Sequence, residues 1–176
     1  SGASTILGAF TGDWTLVTAG VGTGTAVSNV ETINFAGNTG GTVTANNDIA
    51  LTVTNNSATL ASNVAMGTGV DQAFTAPSGT GANVVALGAA TGQSATMTGS
   101  AGVVQAVTLG AAAQTASTGL GNDTISSTVA NAKGSTFIMG AGTTDALTIS
   151  DAGATTLGAT AVSAGAAKFT GVETVV

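Results

Sequence analysis

The sequence predicts an all-β fold of stacked sheets, either a β-roll or β-solenoid or a β-sandwich-like arrangement, without substantial helix. Small side chains dominate: the 176 residues include 27 glycines and only 3% aromatic residues, so the core must be thin and repetitive. Short runs alternate Thr with Val or Leu and are separated by Asn, Asp and Gly, the pattern of strands joined by turns. A Leu-Gly-Ala-Ala segment also recurs at a spacing typical of stacked β-coils.

Residues 1–66 are predicted to form an N-terminal β part. The segments 14–17 and 30–35 have the apolar content of buried strands. The segments 42–44 and 51–54 alternate Thr with Val or Leu, and the Asn-rich stretches after them supply turns. Residues 67–82, which contain Asp71 and the only proline, Pro77, are predicted to be a loop or linker.

Residues 83–176 are predicted to be a degenerate repeat. Leu87-Gly88-Ala89-Ala90 returns 22 residues later, starting at Leu109, and shorter copies follow at Met139 and Leu157. The intervals are irregular, which suits either stacked coils or a sandwich of hairpins. The N-terminal part and this repeat can also form one continuous domain.

The segment 119–125 has the spacing of a calcium-binding turn. Gly119, Gly121 and Asp123 occupy positions of the pattern G-G-x-G-x-D-x-U-x, with Asn122 before the acid and Ile125 at U. In such turns, glycines allow the backbone to direct carbonyl oxygens inward, and Ca²⁺ takes six to eight oxygen ligands.

A second turn matches the same pattern with one extra residue before its acid: Gly140, Gly142 and Asp145. Asp145 lies 22 residues after Asp123, so stacked turns would bring both carboxylates to one ion. The alternative is that both acids are ordinary solvated residues of turns between strands.

Two strands are predicted to mediate assembly between copies. Val30, Thr32 and Ile33 belong to a Val-Glu-Thr segment that is echoed near the end of the chain by Val172, Thr174 and Val175. The second copy stops where the first continues, so we expect either that the chain is cut from a longer one or that this strand completes its pairing in a neighbouring subunit. Lysine, the usual protection of strand edges, is nearly absent.

Charge and composition exclude several functions. The net charge is −6 and the only basic residues are Lys133 and Lys168, so no basic patch for nucleic acid is expected. A chain with 43% hydrophobic and 6% charged residues should fold rather than remain disordered. There is no Cys for disulfides, and no apolar run is long enough for a transmembrane helix.

Catalysis is not expected. The chain has no His, Cys or Tyr, and its two glutamates, Glu31 and Glu173, occupy equivalent places in the two echoed segments. Equivalent positions indicate equivalent structural roles rather than a catalytic pair. A different alternative is an ice-binding face, for which a hydroxyl array is available at Thr42, Thr44, Thr52 and Thr54.

Together, the Gly-Leu-Gly-Asn-Asp-Thr-Ile turn, the repeated Leu-Gly-Ala and the Val-Glu-Thr strands resemble the Gly/Thr/Ala-rich, calcium-binding β-roll proteins of Gram-negative bacteria. These are the RTX-type proteins and especially the S-layer proteins built like them. The resemblance is clearest over residues 83–176 and recurs at 15–35, although the tandem nonapeptides of an RTX β-roll are missing.

The resemblance implies a secreted protein at the cell surface that uses Ca²⁺ at the turns of Asp123 and Asp145. The expected function is an extracellular structural subunit that self-assembles into a surface layer or filament by β-edge contacts, assisted by calcium. Its partner would be itself, and a cell-surface glycan or lipopolysaccharide is a further possible partner. The alternative is a calcium-dependent adhesin module of an RTX-type protein.

Overall fold

The computed structural model describes residues 10–11, 14–15, 32–35, 38–39, 42–45, 51–77, 81–150, 168–171 and 174–176. These residues form a parallel β-solenoid, so the prediction of an all-β, stacked-sheet fold is confirmed. In the described part of the chain, helix is limited to one turn, α1 (Val129–Ala132), whose N-cap Thr128 accepts a hydrogen bond from the backbone of Asn131. No helix of these residues is long and apolar enough to span a membrane.

The strands are arranged in two large sheets and one small one. The small sheet pairs β1 (Phe10–Thr11) with β4 (Asn38–Thr39). The seven-stranded sheet contains, in spatial order, β3 (Thr32–Phe35), β6 (Thr52–Asn55), β8 (Ala73–Ala76), β10 (Ser94–Met97), β12 (Thr115–Ser117), β14 (Thr136–Ile138) and β16 (Lys168–Thr170). The eight-stranded sheet contains β2 (Trp14–Thr15), β5 (Val43–Thr44), β7 (Ser62–Ala65), β9 (Asn83–Ala86), β11 (Ala106–Thr108), β13 (Thr124–Thr128), β15 (Ala146–Ser150) and β17 (Thr174–Val175).

Within the described residues, successive coils of the solenoid give one strand to each large sheet, and every strand pair is parallel. In the seven-stranded sheet, Thr52, Ala73, Ser94, Thr115 and Thr136 are in register at a constant 21-residue step. The eight-stranded sheet is less regular, because Val84 pairs with Ala106, Ala106 with Thr124, and Thr124 with Ala146. The turns, not the strands, absorb these differences in length.

The core lies between the two sheets and follows from the alternation of side chains along each strand. One residue in two points inward and is buried, and its neighbours in the adjacent coils occupy the same column. The eight-stranded sheet contributes Val43, Val64, Val85, Val107, Ile125 and Leu147; the seven-stranded sheet contributes Ile33, Val53, Phe74, Ala95, Ala116 and Phe137. The thin core that the composition predicted is therefore a stack of apolar columns.

The segment 67–82, predicted above as a loop or linker, contains β8, which pairs with β6 on one side and β10 on the other. It is thus a coil of the same stack, and Phe74 places its side chain in the core. The linker prediction relied on glycine and proline content. In this solenoid, glycines with positive φ recur at turns of several coils, as at Gly92, Gly119 and Gly140, so glycine content does not mark a linker.

The structure also explains why the repeat spacing is irregular. Leu87 and Leu109 follow β9 and β11 of the eight-stranded sheet, and the N–H of Leu87 donates to the carbonyl of Thr108. Met139 instead follows β14 of the seven-stranded sheet. The repeat predicted from the sequence therefore combined two different corners of the coil that have similar sequences. Leu157 lies outside the described residues.

Of the predicted assembly strands, Thr32 and Ile33 lie in β3, while Thr174 and Val175 form β17. β3 is the outermost described strand at one end of the seven-stranded sheet. β17 is the outermost described strand of the eight-stranded sheet, at the opposite end of the stack. The side chain of Ile33 is buried, whereas Val175 is exposed. Val30, Val172, Glu31 and Glu173 lie outside the described residues.

Candidate functional site

The two predicted calcium turns lie one above the other in adjacent coils. The first connects β12 to β13 and the second connects β14 to β15. In the sheets, β12 pairs with β14 and β13 pairs with β15. The backbone N–H of Thr143 donates to Oδ1 of Asn122 at 3.0 Å, and the N–H of Ala141 donates to the carbonyl of Gly119 at 3.3 Å. The structure therefore brings together the two turns that the spacing of 22 residues related.

The glycines are required by the contact between coils as well as by backbone angles. Gly119, Gly121 and Gly140 have positive φ, a conformation that L side chains rarely adopt. A Cβ atom on Gly140 would collide with the carbonyl of Gly119, and one on Gly142 would collide with the carbonyl of Gly121. The turns stack this closely because no side chain separates their backbones.

Both carboxylates are buried and accept backbone hydrogen bonds from neighbouring residues. Oδ1 of Asp123 accepts from the N–H of Gln105 at 2.8 Å. Oδ1 of Asp145 accepts from the N–H of Asp123 at 2.7 Å, and its Oδ2 accepts from the N–H of Gly142 at 3.2 Å. The two acids are 1% and 0% exposed, so they are not the solvated turn residues of the alternative interpretation.

These acids belong to a longer series of buried polar side chains, which we call the corner column: Ser62, Asn83, Gln105, Asp123 and Asp145. Each member begins or directly precedes a strand of the eight-stranded sheet. A side-chain oxygen of each of the last three members accepts the backbone N–H of the member one coil earlier, as when the N–H of Asn83 donates to Oε1 of Gln105 at 3.0 Å. The corner column therefore connects successive coils where the sheet hydrogen bonds begin.

One carboxylate oxygen in the corner column is left without a hydrogen bond. Oδ2 of Asp123 and Oγ1 of Thr118 are both buried and have no hydrogen-bond partner. The Thr118 hydroxyl nevertheless favours the ionised form of Asp123 and so lowers its pKa. This oxygen is the place in the turn where a proton or a cation would be accommodated.

Burial raises the pKa of Asp123 above its ordinary value of 3.8. The backbone hydrogen bond from Gln105 lowers this pKa, as does the Thr118 hydroxyl, while the carboxylate of Asp145 raises it further. Desolvation is the largest of these effects, so the net direction is upward. Asp123 is thus the ionisable group of the corner column whose charged state is disfavoured.

The donor set fits a calcium site only in part. Carboxylate and hydroxyl oxygens are suitable ligands, and Oδ2 of Asp123 is buried and unpartnered. However, the other three carboxylate oxygens of the pair already accept backbone N–H groups. Within the described residues there is also no group of three or more acidic, His or Cys side chains placed to hold a metal ion.

Sequence reasoning missed a second buried column, the glutamine ladder: Gln72, Gln93 and Gln114. Each directly precedes a strand of the seven-stranded sheet. Oε1 of Gln93 accepts from the N–H of Gly88 at 2.6 Å, and its Nε2 donates to the carbonyls of Gly67 and Gly69, both at 2.7 Å. The signal was present in the sequence, since three of the four glutamines are spaced 21 residues apart.

The four threonines that the sequence suggested as an alternative ice-binding array do not share a face. Thr44 lies in β5 of the eight-stranded sheet and Thr42 directly precedes it, whereas Thr52 and Thr54 lie in β6 of the seven-stranded sheet. Thr52 and Thr54 instead belong to a longer array along the seven-stranded sheet. The hydroxyl groups of Thr54 and Thr75, one coil apart, share a hydrogen bond of 2.8 Å.

No protein-family model, curated protein or solved structure matches the chain. The class of molecule is therefore defined by its architecture, a parallel β-solenoid with buried polar columns at two of its corners.

Proposed function

We propose that this chain is an extracellular structural subunit, resembling S-layer and RTX-type proteins, that self-assembles into a surface layer or filament through β-edge contacts assisted by calcium. Its partner is a second copy of itself, and the assembly lies at the cell surface, where a glycan or lipopolysaccharide would anchor it. No catalytic role is proposed.

The observation that carries the proposal is the parallel order of both large sheets. In a parallel solenoid, one end of the stack presents unpaired backbone groups that match those presented by the opposite end. Copies stacked end to end would continue both sheets, a heterologous contact that propagates as an open filament. The outermost strands β3 and β17 contain no charged residue, although β16 begins with Lys168, and a strand edge without charged protection favours such pairing.

The last described coil adds apolar surface to this edge. Phe169 stacks on Phe137 with ring centroids 5.2 Å apart, yet it remains 40% exposed. Val175 and Val176 are also exposed. A following coil that covered these side chains would bury apolar area in the same manner as the internal coils, which favours association.

Calcium would act at the stacked turns of Asp123 and Asp145. Oδ2 of Asp123, with the Thr118 hydroxyl beside it, would hold the ion, and a bound Ca²⁺ would neutralise a carboxylate whose ionisation burial disfavours. Because the turn lacks enough free oxygens by itself, the remaining ligands would come from turn carbonyls or water. The role assigned to calcium is to stiffen the coil, and through it the assembly.

The experiment is light scattering and electron microscopy of purified chain, first stripped with a chelator and then titrated with Ca²⁺. The test variant is Val175→Lys, which places a charge at the exposed edge strand. The control is Val84→Lys, which introduces the same charge at a similarly exposed position in β9, inside the stack. Asp123→Asn tests the ion site separately.

Large particles or filaments formed by the wild-type chain and by Val84→Lys, but not by Val175→Lys, would support end-to-end assembly. A monomer under all conditions would overturn it and favour the second candidate, a calcium-dependent binding module. Assembly that ignores both Ca²⁺ and Asp123→Asn would retain the structural subunit and remove the ion from the proposal.

A further inference from the structure

The outward surface of the seven-stranded sheet is an array of small hydroxyl side chains, which we call the hydroxyl face. Two residues per strand point outward, separated by one buried residue. From β3 to β14 these outward positions are Thr32, Asn34, Thr52, Thr54, Ala73, Thr75, Ser94, Thr96, Thr115, Ser117, Thr136 and Ile138. Nine of the twelve are Thr or Ser.

The backbone imposes a two-dimensional spacing on these hydroxyl groups. Neighbouring strands lie about 4.8 Å apart, and alternate residues along a strand are about 6.7 Å apart. The 21-residue step is constant from β6 to β14, so no insertion displaces a row. This rectangular spacing is close to that of the oxygen atoms on a prism face of hexagonal ice.

The side chains are also held in place and uncharged. Threonine is stiff at χ1 because its Cβ carries two heavy atoms, and the hydrogen bond between Thr54 and Thr75 fixes two of the rows relative to each other. The chain has a net charge of −6, yet none of the outward positions from β3 to β14 is ionisable. Lys168 follows in the register of Thr136, at the end of the array.

The opposite sheet lacks this order. Outward positions of the eight-stranded sheet include Asn63, Val84, Ala86 and Ala106, which interrupt the hydroxyl groups. Its register steps also change between coils. The two faces share one fold, so the hydroxyl face is not a general consequence of the solenoid.

A protein partner fits this face poorly. The six strands from β3 to β14, with three or four residues each, give about 29 Å by about 10–13 Å, or ~300–400 Å². A stable protein interface needs about 800 Å² from each partner, with aromatic or Arg anchors at its centre. Neither this area nor such an anchor is available at these positions.

We propose that the hydroxyl face binds ice, with the threonine hydroxyl and methyl groups ordering water into the lattice of the crystal.

The test measures ice recrystallisation inhibition and thermal hysteresis of the purified chain. Thr96→Tyr places a bulky side chain at an exposed position in the middle of the hydroxyl face. Thr108→Tyr is the matched control, an exposed threonine in the middle of the other sheet. Thr115→Tyr repeats the test one coil further on, in case Thr96→Tyr does not fold, and far-ultraviolet circular dichroism checks each variant.

We expect the wild-type chain and Thr108→Tyr to inhibit recrystallisation equally. Thr96→Tyr and Thr115→Tyr should need at least about tenfold more protein for the same effect, equivalent to ~1.4 kcal/mol of lost binding free energy. No activity in the wild-type chain, or an equal loss in Thr108→Tyr, would overturn the proposal. A changed sedimentation coefficient in Thr96→Tyr without a change in ice activity would assign this face to contacts between copies instead.

Discussion

The backbone N–H of Asp123 donates a 2.7 Å hydrogen bond to Oδ1 of Asp145, one coil further along the solenoid. The contact joins two residues that the sequence paired by their spacing as potential calcium ligands. In the structure, the carboxylate of Asp145 accepts hydrogen bonds from two backbone N–H groups and so links adjacent coils. The role of each acid in stability can be separated by substitution.

Asp145→Asn should destabilise the chain more than Asp123→Asn. Both oxygens of Asp145 accept backbone N–H groups, so an amide would leave one donor facing another, a loss of about 1–3 kcal/mol. Asn at position 123 keeps the acceptor for Gln105 and places its NH₂ where Oδ2 has no partner. Urea unfolding in a chelator measures both, and an equal loss in the two variants would contradict this assignment.

Stability should rise as the pH falls through the titration of Asp123. Its pKa is raised above 3.8 in the folded state, mainly by burial, so the folded state binds a proton more tightly than the unfolded state. This contribution is present at low pH and is lost as the pH rises from 3.8 through the raised value. Unfolding measured across this pH range, without Ca²⁺, should show the slope in the wild-type chain.

Asp123→Asn is the control for this pH dependence, because it removes the titrating group while leaving Asp145 and the other acids in place. The free energy of unfolding of Asp123→Asn minus that of the wild type should therefore be smallest at the acidic end of the range, where the wild-type carboxyl is protonated. A difference that is constant with pH would show that Asp123 does not titrate with folding.

Gln93→Leu should be strongly destabilising. The substitution preserves most of the volume but leaves the buried carbonyls of Gly67 and Gly69 and the partly buried N–H of Gly88 without their partner. Each unsatisfied group costs about 1–3 kcal/mol, so we expect a loss of about 3 kcal/mol or more. Val84→Ala, at an exposed position of β9 in the other large sheet, should change the free energy of unfolding by less than about 0.5 kcal/mol. A loss for Gln93→Leu no larger than that control would show that the glutamine ladder does not hold the turns.

Gly140→Ala and Gly102→Ala separate backbone strain from the contact between coils. Both glycines have positive φ, +77° and +84°, for which an L residue costs about 1–2 kcal/mol. A Cβ on Gly102 would meet nothing within 4 Å, whereas one on Gly140 would collide with the carbonyl of Gly119. Gly140→Ala should therefore lose clearly more stability in thermal unfolding than Gly102→Ala. Similar losses would mean that the turns do not need this close approach.

Part of the site was predictable because it depends on local spacing. The interval between Asp123 and Asp145 equals one coil of the eight-stranded sheet, so the two acids were correctly related to each other. Their burial was not predictable from the turn motif. A Gly-Asn-Asp turn is ordinarily solvated, and only the coil preceding it, with the N–H of Gln105 at 2.8 Å, gives Asp123 a buried partner.

The alternating pattern predicted most of the fold outside β8, together with the glycine turns and the thin core, because these depend on alternation, positive φ and small side chains within a few residues. The tertiary structure decided which polar residues are enclosed and which face carries the hydroxyl groups. Gln93 meets Gly67 across 26 residues, and Thr54 meets Thr75 across 21. Such contacts depend on the register of one coil on the next, and that register is set by the combined length of two strands and two turns rather than by any local pattern.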